Sequence, residues 1–362
     1  MNTEAIIQKA LHSEWISVDE ACILFREMPL NELMALGHNV RMQHHKEQKV
    51  SWIIDRNVNI TNVCSCACRF CNFHCAVNSE DAYVTTLEQY RKKITELFEL
   101  GGDQLLLQGG LNPALGLTWY EDLFRTLKLE FPLLKLHALG PPEIAFLAKK
   151  ENTDYETVLT RLMKAGLDSL PGAGAEILSD RVRKIVSPAK CSTKEWYDVM
   201  RAAHQLHMIT SATMMFGHAE TLEERMQHMA DVRVVQNEKP AGAPGFIAFI
   251  AWPFQQKDTK LQKLHGTFNA VTEEEYLRMV AISRIMLPNV DNIQASWLTV
   301  GKEAAKKCLH AGANDLGSVM IEENVVSAAG AHFTMTPEEM VKTIGDAGFE
   351  AARRNQKYEF LN

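Results

Sequence analysis

The sequence predicts an α/β fold. Its expected core is a TIM-type (β/α)8 barrel spanning residues 49–362, with a helical segment at 1–48 and C-terminal helices at the far end. Three observations predict it. From residue 51 onward, short β-branched or apolar runs alternate with longer amphipathic segments, and eight such pairs can be counted. Strand–helix alternation of this regularity means a parallel sheet joined by right-handed crossovers. Eight pairs suit a sheet closed on itself, with a doubly wound open sheet as the competing arrangement.

The elements follow in order. Residues 1–48 are polar and helical in pattern, and "SVDEACILF" opens a helix at Ser17 with Glu20 as capping-box partner. The strand candidates are "SWIIDRNVNI" (51–60), "DQLLLQ" (103–108), "LKLHAL" (134–139), "GLDSLP" (166–171), "MITSATMMF" (208–216), "GFIAFIAW" (245–252), "NIQASW" (292–297) and "ANDLGS" (313–318). Between them lie helical patterns such as 86–100 and 221–236. In the second, Leu222, Met226 and Met229 recur at helical spacing behind a Thr221–Glu224 capping box. The tail, "ENVVSAAG" and then "TPEEMVKTIGDAGFEAARRNQKY", reads as a final helix pair, with Pro337 at the first helical position.

Composition narrows the function. With 46% hydrophobic and 23% charged residues the chain has ordinary globular usage. A net charge of −7 without a basic block argues against nucleic acid as a partner. The first residues lack the basic and apolar regions of a signal peptide, and no apolar run reaches the roughly 20 residues that span a bilayer. The expectation is a cytoplasmic protein with no membrane partner. Thiols there stay reduced, so clustered cysteines point to metal or catalysis rather than disulfides.

Five of the eight cysteines fall within "CSCACRFCNFHC", at Cys64, Cys66, Cys68, Cys71 and Cys75. Cys68-x2-Cys71 with His74 and Cys75 could hold zinc. Cys64-x3-Cys68-x2-Cys71, with Phe70 before the last thiol, is the other reading. Three thiolates on one loop can bind three irons of a 4Fe-4S cube and leave the fourth open for chemistry. The loop follows the first strand, at the end where barrel active sites lie. Cys66 and Cys75 are then surplus, read as incidental thiols.

This loop resembles that of radical S-adenosylmethionine (SAM) enzymes. The likeness extends along the chain through "LQGGLNP", "HALGPPEIAFLAK", "GLDSLPGAGAEIL", "DRVRKIVSP", "TMMFGHAETLEER", "AFIAWPFQ", "NIQASW" and "ANDLGSVMIEENVVSAAG". Within that superfamily the segments resemble the cyclic dehypoxanthine futalosine synthase family of menaquinone biosynthesis, whose sisters are aminofutalosine synthase and FO synthase. The chain departs from the family pattern at the surplus cysteines, at Gly140 where serine is expected, and at Ala251 where proline is expected. The resemblance implies a 4Fe-4S cluster on Cys64, Cys68 and Cys71, SAM on the open iron, and a low-potential flavodoxin- or ferredoxin-type donor. It also implies a 5′-deoxyadenosyl radical that takes the ribose C4′ hydrogen of dehypoxanthine futalosine. Ring closure and loss of an electron and a proton then give the cyclic product.

Roles follow for particular residues. Gln108, Gly109 and Gly110 end the second strand, where the superfamily binds the SAM amino group. Glu176 can accept both hydroxyls of the SAM ribose. Arg183, about two helical turns on, offers a fork for the SAM carboxylate. His137, His218, Gln255, Ser296, Asp315 and Glu322 are polar groups at predicted strand ends. Of these, His218, Asp315 and Glu322 are the acid–base candidates. Arg69 is a nearby cation for the substrate carboxylate, and Met214 and Met215 read as core. A non-catalytic iron–sulfur carrier or a zinc-bearing interaction protein is the alternative class. A carrier would ligate all four irons and would not need the turns at "LQGG" and "PGAGAE".

Overall fold

A computed structural model describes residues 3–325, 327–330 and 333–361. Three helices come first: α1 (Thr3–Leu11), α2 (Val18–Glu27) and α3 (Leu30–His44). Ser17 and Glu20 form the predicted capping box at α2. These helices pack on the outside of the barrel. Gly37 in α3 lets the backbone meet its neighbours closely, because a Cβ there would lie 2.4 Å from the Ala311 carbonyl oxygen.

The chain then enters β1 (Lys49–Ile53), β2 (Asp55–Asn59), α4 (Leu87–Glu99), β3 (Gln104–Gln108), α5 (Leu117–Glu130) and β4 (Lys135–Ala138). Next come α6 (Pro141–Glu151), α7 (Tyr155–Ala165), β5 (Ser169–Leu170), α8 (Asp180–Val186), α9 (Thr193–Gln205) and β6 (Ile209–Phe216). They are followed by α10 (Leu222–Asn237), β7 (Gly245–Pro253), α11 (Lys260–His265), α12 (Glu273–Met286), β8 (Asn292–Ala295) and α13 (Trp297–Leu309). The last elements are β9 (Asp315–Ser318), α14 (Pro337–Asp346) and β10 (Glu350–Arg353).

All eight predicted strands are present, within an α/β TIM-type fold. The count and the closure are corrected. Among the described residues ten strands form one sheet in the order β10-β1-β9-β8-β7-β6-β5-β4-β3-β2, every neighbouring pair parallel. The first predicted strand breaks at Ile54. Its first half pairs with β9 and β10, and its second half pairs with β3. One linking residue reaches only about 7 Å, so β2 at one edge must lie beside β1 near the other. The sheet therefore curls into a barrel, but no ladder joins β2 to β9. The Val319 N–H donating to the Ile53 carbonyl (3.2 Å) extends the β1–β9 ladder, and the Asp55 N–H donating to Ser318 Oγ (3.3 Å) links β2 across the seam.

The C-terminal expectation is also corrected. Pro337 opens α14 as predicted, behind a capping box of Thr336 and Glu339, but the residues after it form β10 on the flank of β1. Val326, within "ENVVSAAG", lies outside the described residues, and Ser327–Ala329 form one 3-10 turn. No helix among the described residues is long and apolar enough to cross a membrane.

Side chains alternate across a strand, and this decides what faces the barrel interior. On β6, Ser211, Thr213 and Met215 point inward while Thr210, Ala212 and Met214 are buried toward the helices. Asn57 and Asn59 of β2, Leu106 and Gln108 of β3, Ile250 and Trp252 of β7 and Gln294 of β8 join the inward set. Together they bound a cavity of about 420 Å3. Asn57 Oδ1 and Asn59 Nδ2 are buried there with no hydrogen-bond partner among the described residues. Buried polar atoms are rarely left so, which suits a polar ligand.

Candidate active site

The cysteines ride on the loop between β2 and α4. Its base is stitched by Thr61 Oγ1 donating to the Tyr83 carbonyl (2.6 Å), Asn62 Nδ2 to the Asp81 carbonyl (2.8 Å) and the Cys75 N–H to the Asn62 carbonyl (2.9 Å). Its tip is tethered to α8, where the Arg69 N–H and Nη1 donate to the Val186 and Ile185 carbonyls, each at 2.8 Å. The loop also lies directly on the turn after β3. A Cβ at Gly110 would sit 2.1 Å from the Val63 carbonyl oxygen and 2.7 Å from Cys64 Cβ, so only glycine lets the two turns meet.

That approach aims the Leu111 N–H at Cys64 Sγ, 3.4 Å away. Together with a hydrogen bond from Cys66, it lowers the Cys64 pKa toward the thiolate form that binds metal. Burial pushes the Cys68 thiol up to about 12. All eight cysteines are free. Cys64, Cys68 and Cys71 line the cavity, whereas Cys66 and Cys75 do not. Among the described residues no three His, Cys, Asp or Glu side chains are already gathered at metal-binding distance. The donor set itself, three thiols facing one cavity, fits an iron–sulfur cluster with an open iron.

Opposite the loop stands a charged wall. Glu176, in the left-handed region at φ +46°, ends the turn after β5, and its Oε1 accepts from Lys190 Nζ at 2.6 Å. Both are cavity residues with little side-chain exposure, 5% and 16%. Burial works against the Lys190 ammonium, but Cys68 and Glu176 outweigh it and hold its pKa above the ordinary value. Lys190 also lies over the Phe70 ring, 5.3 Å from its centre. Glu143, at the start of α6, completes the wall, and its Oε2 is buried without a hydrogen-bond partner among the described residues.

Comparison with known proteins fits this arrangement. Residues 58–232 match the radical SAM superfamily and residues 243–362 match the CofH/MqnC C-terminal region. The chain is 38% identical to cyclic dehypoxanthine futalosine synthase of Halalkalibacterium halodurans, covering 100% of this chain and 95% of that one. It is 40% identical to the enzyme of the same name from Streptomyces coelicolor, over 99% of this chain and 88% of that one. The chain belongs to the radical SAM superfamily. Within it, the chain belongs to the family that includes these synthases. A relative from Methanothermobacter thermautotrophicus carries a different name, 5-amino-6-(D-ribitylamino)uracil–L-tyrosine 4-hydroxyphenyl transferase. It is 37% identical over 98% of this chain and 97% of its own. The fold matches the crystal structure of methylornithine synthase with TM-score 0.73 at 16% identity, covering 96% and 97% of the two chains. It also matches the FeFe-hydrogenase maturase of Carboxydothermus hydrogenoformans with TM-score 0.71 at 16% identity, covering 98% and 80%.

A radical SAM enzyme of this family is the class of protein the sequence predicted, with its 4Fe-4S cluster and SAM as cofactors. The curated relatives named above are enzymes, which sets the carrier and zinc-protein alternatives aside. Among the predicted site residues, Gln108, Gly109, Gly110 and Glu176 line the cavity with the three cysteines, as do the strand-end groups His137, Gln255 and Ser296; Met215, read as core, lines it too.

Five of the predicted residues stand elsewhere. Arg183 does not reach the cavity. Its guanidinium donates to the carbonyls of Gly174 (3.0 Å), Ala175 (2.8 Å) and Cys191 (2.6 and 2.9 Å), pinning the turn that carries Glu176 against the segment that carries Lys190. His218 is buried beyond the end of β6, with Nε2 2.9 Å from the Met215 carbonyl and Nδ1 accepting from the Ala219 N–H at 2.7 Å. Asp315 is fully buried and accepts from Arg354 Nε (2.7 Å), Ser51 Oγ (2.5 Å) and the Gly317 N–H (2.7 Å), fastening β9 to β1 and β10. Glu322 pairs with Arg56 (3.0 Å) and Lys93 beside a separate cavity of about 210 Å3. Arg69 holds the loop to α8. A strand-end position places a residue near the mouth of the barrel, but side-chain direction and local partners decide whether it faces inward.

Three residues without a predicted role do face inward. Lys190 lies in "SPAKCS", which looks like a solvated turn until the fold buries it. Glu143 stands in the quoted "GPPE" stretch. His137, named at its strand end, bonds Ser169 Oγ through Nδ1 at 2.6 Å, and burial pushes its pKa down to about 4.

Proposed function

We propose that this chain converts dehypoxanthine futalosine to cyclic dehypoxanthine futalosine, in the cytoplasm, as a step of menaquinone biosynthesis. The observation that carries the reading is the cavity itself. It brings three cysteines at C-x3-C-x2-C spacing, the Gln108–Gly110 turn and the Glu176–Lys190 pair to one face, in a chain about 40% identical to synthases of that name. A 4Fe-4S cluster with bound SAM supplies a 5′-deoxyadenosyl radical. The chain's own residues bind and orient. Cys64, Cys68 and Cys71 would hold the cluster, the carbonyls of Gln108–Gly110 would accept from the SAM ammonium group, and Glu176 would accept from its ribose. The wall would exclude competing hydrogen donors.

The electron would come from a flavodoxin- or ferredoxin-type donor, with no nucleic-acid or membrane partner. Residues 49–362 would act as one catalytic unit with residues 1–48 as an outer helical segment. The test is anaerobic reconstitution and dithionite reduction with SAM, with and without dehypoxanthine futalosine, followed by mass spectrometry. 5′-Deoxyadenosine together with a product two hydrogens lighter than the substrate is expected. 5′-Deoxyadenosine alone would overturn the substrate assignment and leave the radical chemistry.

A second reading has a specific observation behind it. The archaeal transferases are 36–37% identical to this chain, barely below the synthases. Incubation with 5-amino-6-(D-ribitylamino)uracil and L-tyrosine separates the two, as does incubation with the substrate of aminofutalosine synthase.

A further inference from the structure

Three carboxylates line the cavity, and two of them, Glu143 and Glu176, stand in opposite situations. Glu176 Oε1 is fixed to Lys190 at 2.6 Å, so protonating Glu176 would break a buried ion pair. Glu143 has no such anchor. Its Oε2 is buried, faces the same cavity and has no hydrogen-bond partner among the described residues. The space beside it is kept open by Gly140, since a Cβ there would come within 3.2 Å of Oε2.

We propose that Glu143 is the general base of the final step, accepting the proton that the cyclised radical releases as it gives up its electron. This rests on the cyclase reading above. The balance is as follows. One hydrogen atom leaves the ribose carbon and forms the new C–H bond of 5′-deoxyadenosine. The carbon radical adds to an unsaturated carbon of the substrate, forming one C–C bond and breaking one π bond. The resulting radical passes one electron to a one-electron acceptor of the iron–sulfur class, which is thereby reduced. It passes one proton to Glu143 Oε2, restoring the π bond and leaving the product two hydrogens lighter.

The surroundings support that direction of transfer. Burial raises the Glu143 pKa to about 7, with Lys190 pulling it down and Cys64 and Glu176 pushing it up. A base poised near the working pH accepts a proton most efficiently. Tyr120, a further titratable group close enough to interact with it, is pushed up by burial and stays neutral. Among the other acceptors in the lining, Glu323 is engaged by the Val325 and Ser327 N–H groups (2.8 Å each), and burial disfavours the His137 imidazolium. A carboxylate fixed by a lysine and a buried one whose Oε2 is left without a partner among the described residues divide naturally into a binder and a proton acceptor.

The test uses reconstituted holoenzyme with SAM, dithionite and dehypoxanthine futalosine, comparing wild type, Glu143→Gln and Glu143→Asp at matched iron content. Loss of a general base costs roughly 10²- to 10⁴-fold. Glu143→Gln should bind SAM and form 5′-deoxyadenosine within a few-fold of wild type, while cyclic product per 5′-deoxyadenosine falls about a hundredfold or more. Glu143→Asp should recover part of that ratio. An unchanged ratio in Glu143→Gln would overturn the proposal. So would parallel loss of SAM affinity and 5′-deoxyadenosine, which would make Glu143 a cofactor contact. If wild type makes 5′-deoxyadenosine and no lighter product, the cyclase reading itself fails and this proposal falls with it.

Discussion

The Glu176–Lys190 pair allows a separation of structural from ligand-binding roles. Lys190→Met removes the cation and keeps most of the side-chain volume, leaving the 5%-exposed Glu176 carboxylate without its 2.6 Å partner. Breaking one half of a buried ion pair typically costs about 3–5 kcal/mol, whereas replacing both halves is often close to neutral. Urea unfolding of iron-matched protein should therefore show a large loss for Lys190→Met and recovery of most of it in Glu176→Gln/Lys190→Met. SAM affinity should behave differently. Hydrogen bonds to a charged group contribute about 1.5–3 kcal/mol, so Glu176→Gln should weaken SAM binding roughly ten- to hundredfold, and the double variant should stay weak. Calorimetric titration of SAM into each reconstituted variant reads this directly. Full SAM affinity in Glu176→Gln, or its return in the double variant, would refute Glu176 as the ribose acceptor. Additive stability losses would refute the ion pair.

Other expectations follow from the same geometry. Cys64→Ala, Cys68→Ala and Cys71→Ala should each abolish SAM cleavage, while Cys66→Ala, off the cavity wall, should keep most of it; iron content and 5′-deoxyadenosine yield check this, and full loss in Cys66→Ala would shift the ligand register. Gly110→Ala places a methyl group 2.1 Å from a backbone oxygen. It should lower both iron loading and stability, the latter by about 1–3 kcal/mol or more; normal loading would mean that the two turns need not touch. Asp315→Asn should destabilise the fold by a few kcal/mol, since Arg354 loses its charged partner. At temperatures where it stays folded, the partition between 5′-deoxyadenosine and product should be unchanged, and a changed partition would return Asp315 to the acid–base role.

The parts of this architecture legible in the sequence are those set by local pattern. Buried strands such as Phe246–Trp252 are continuous apolar runs, and capping boxes at Ser17, Thr221 and Thr336 are written in adjacent residues. The cluster loop is legible for the same reason, since its three thiols are separated by a few positions. β10 is not, because Glu350–Arg353 is short and polar and becomes a strand only by lying along β1. The break at Ile54 depends on which strands arrive on either side of one segment, which no local pattern records.

Charge in the site shows the same division at the level of side chains. Arg183 and Lys190 are both cations near the glycine-rich turn, and sequence spacing favours Arg183. The carbonyls of Gly174, Ala175 and Cys191 capture the arginine fork behind the wall, and the shorter-range partner of Glu176 in space is the lysine 14 positions on. Lys190 is the one Lys or Arg among the described residues lining the cavity. The deeper barrel wall instead presents neutral amides and hydroxyls at period two, from Asn57, Asn59, Gln108, Ser211, Thr213 and Gln294. In a low-dielectric interior a charged wall and a neutral floor are not interchangeable. A zwitterionic cofactor would be best matched where Glu176 and Lys190 meet the cysteine loop, and a hydroxyl-rich substrate where the amides converge. The two must meet at that boundary, which is where Glu143 stands.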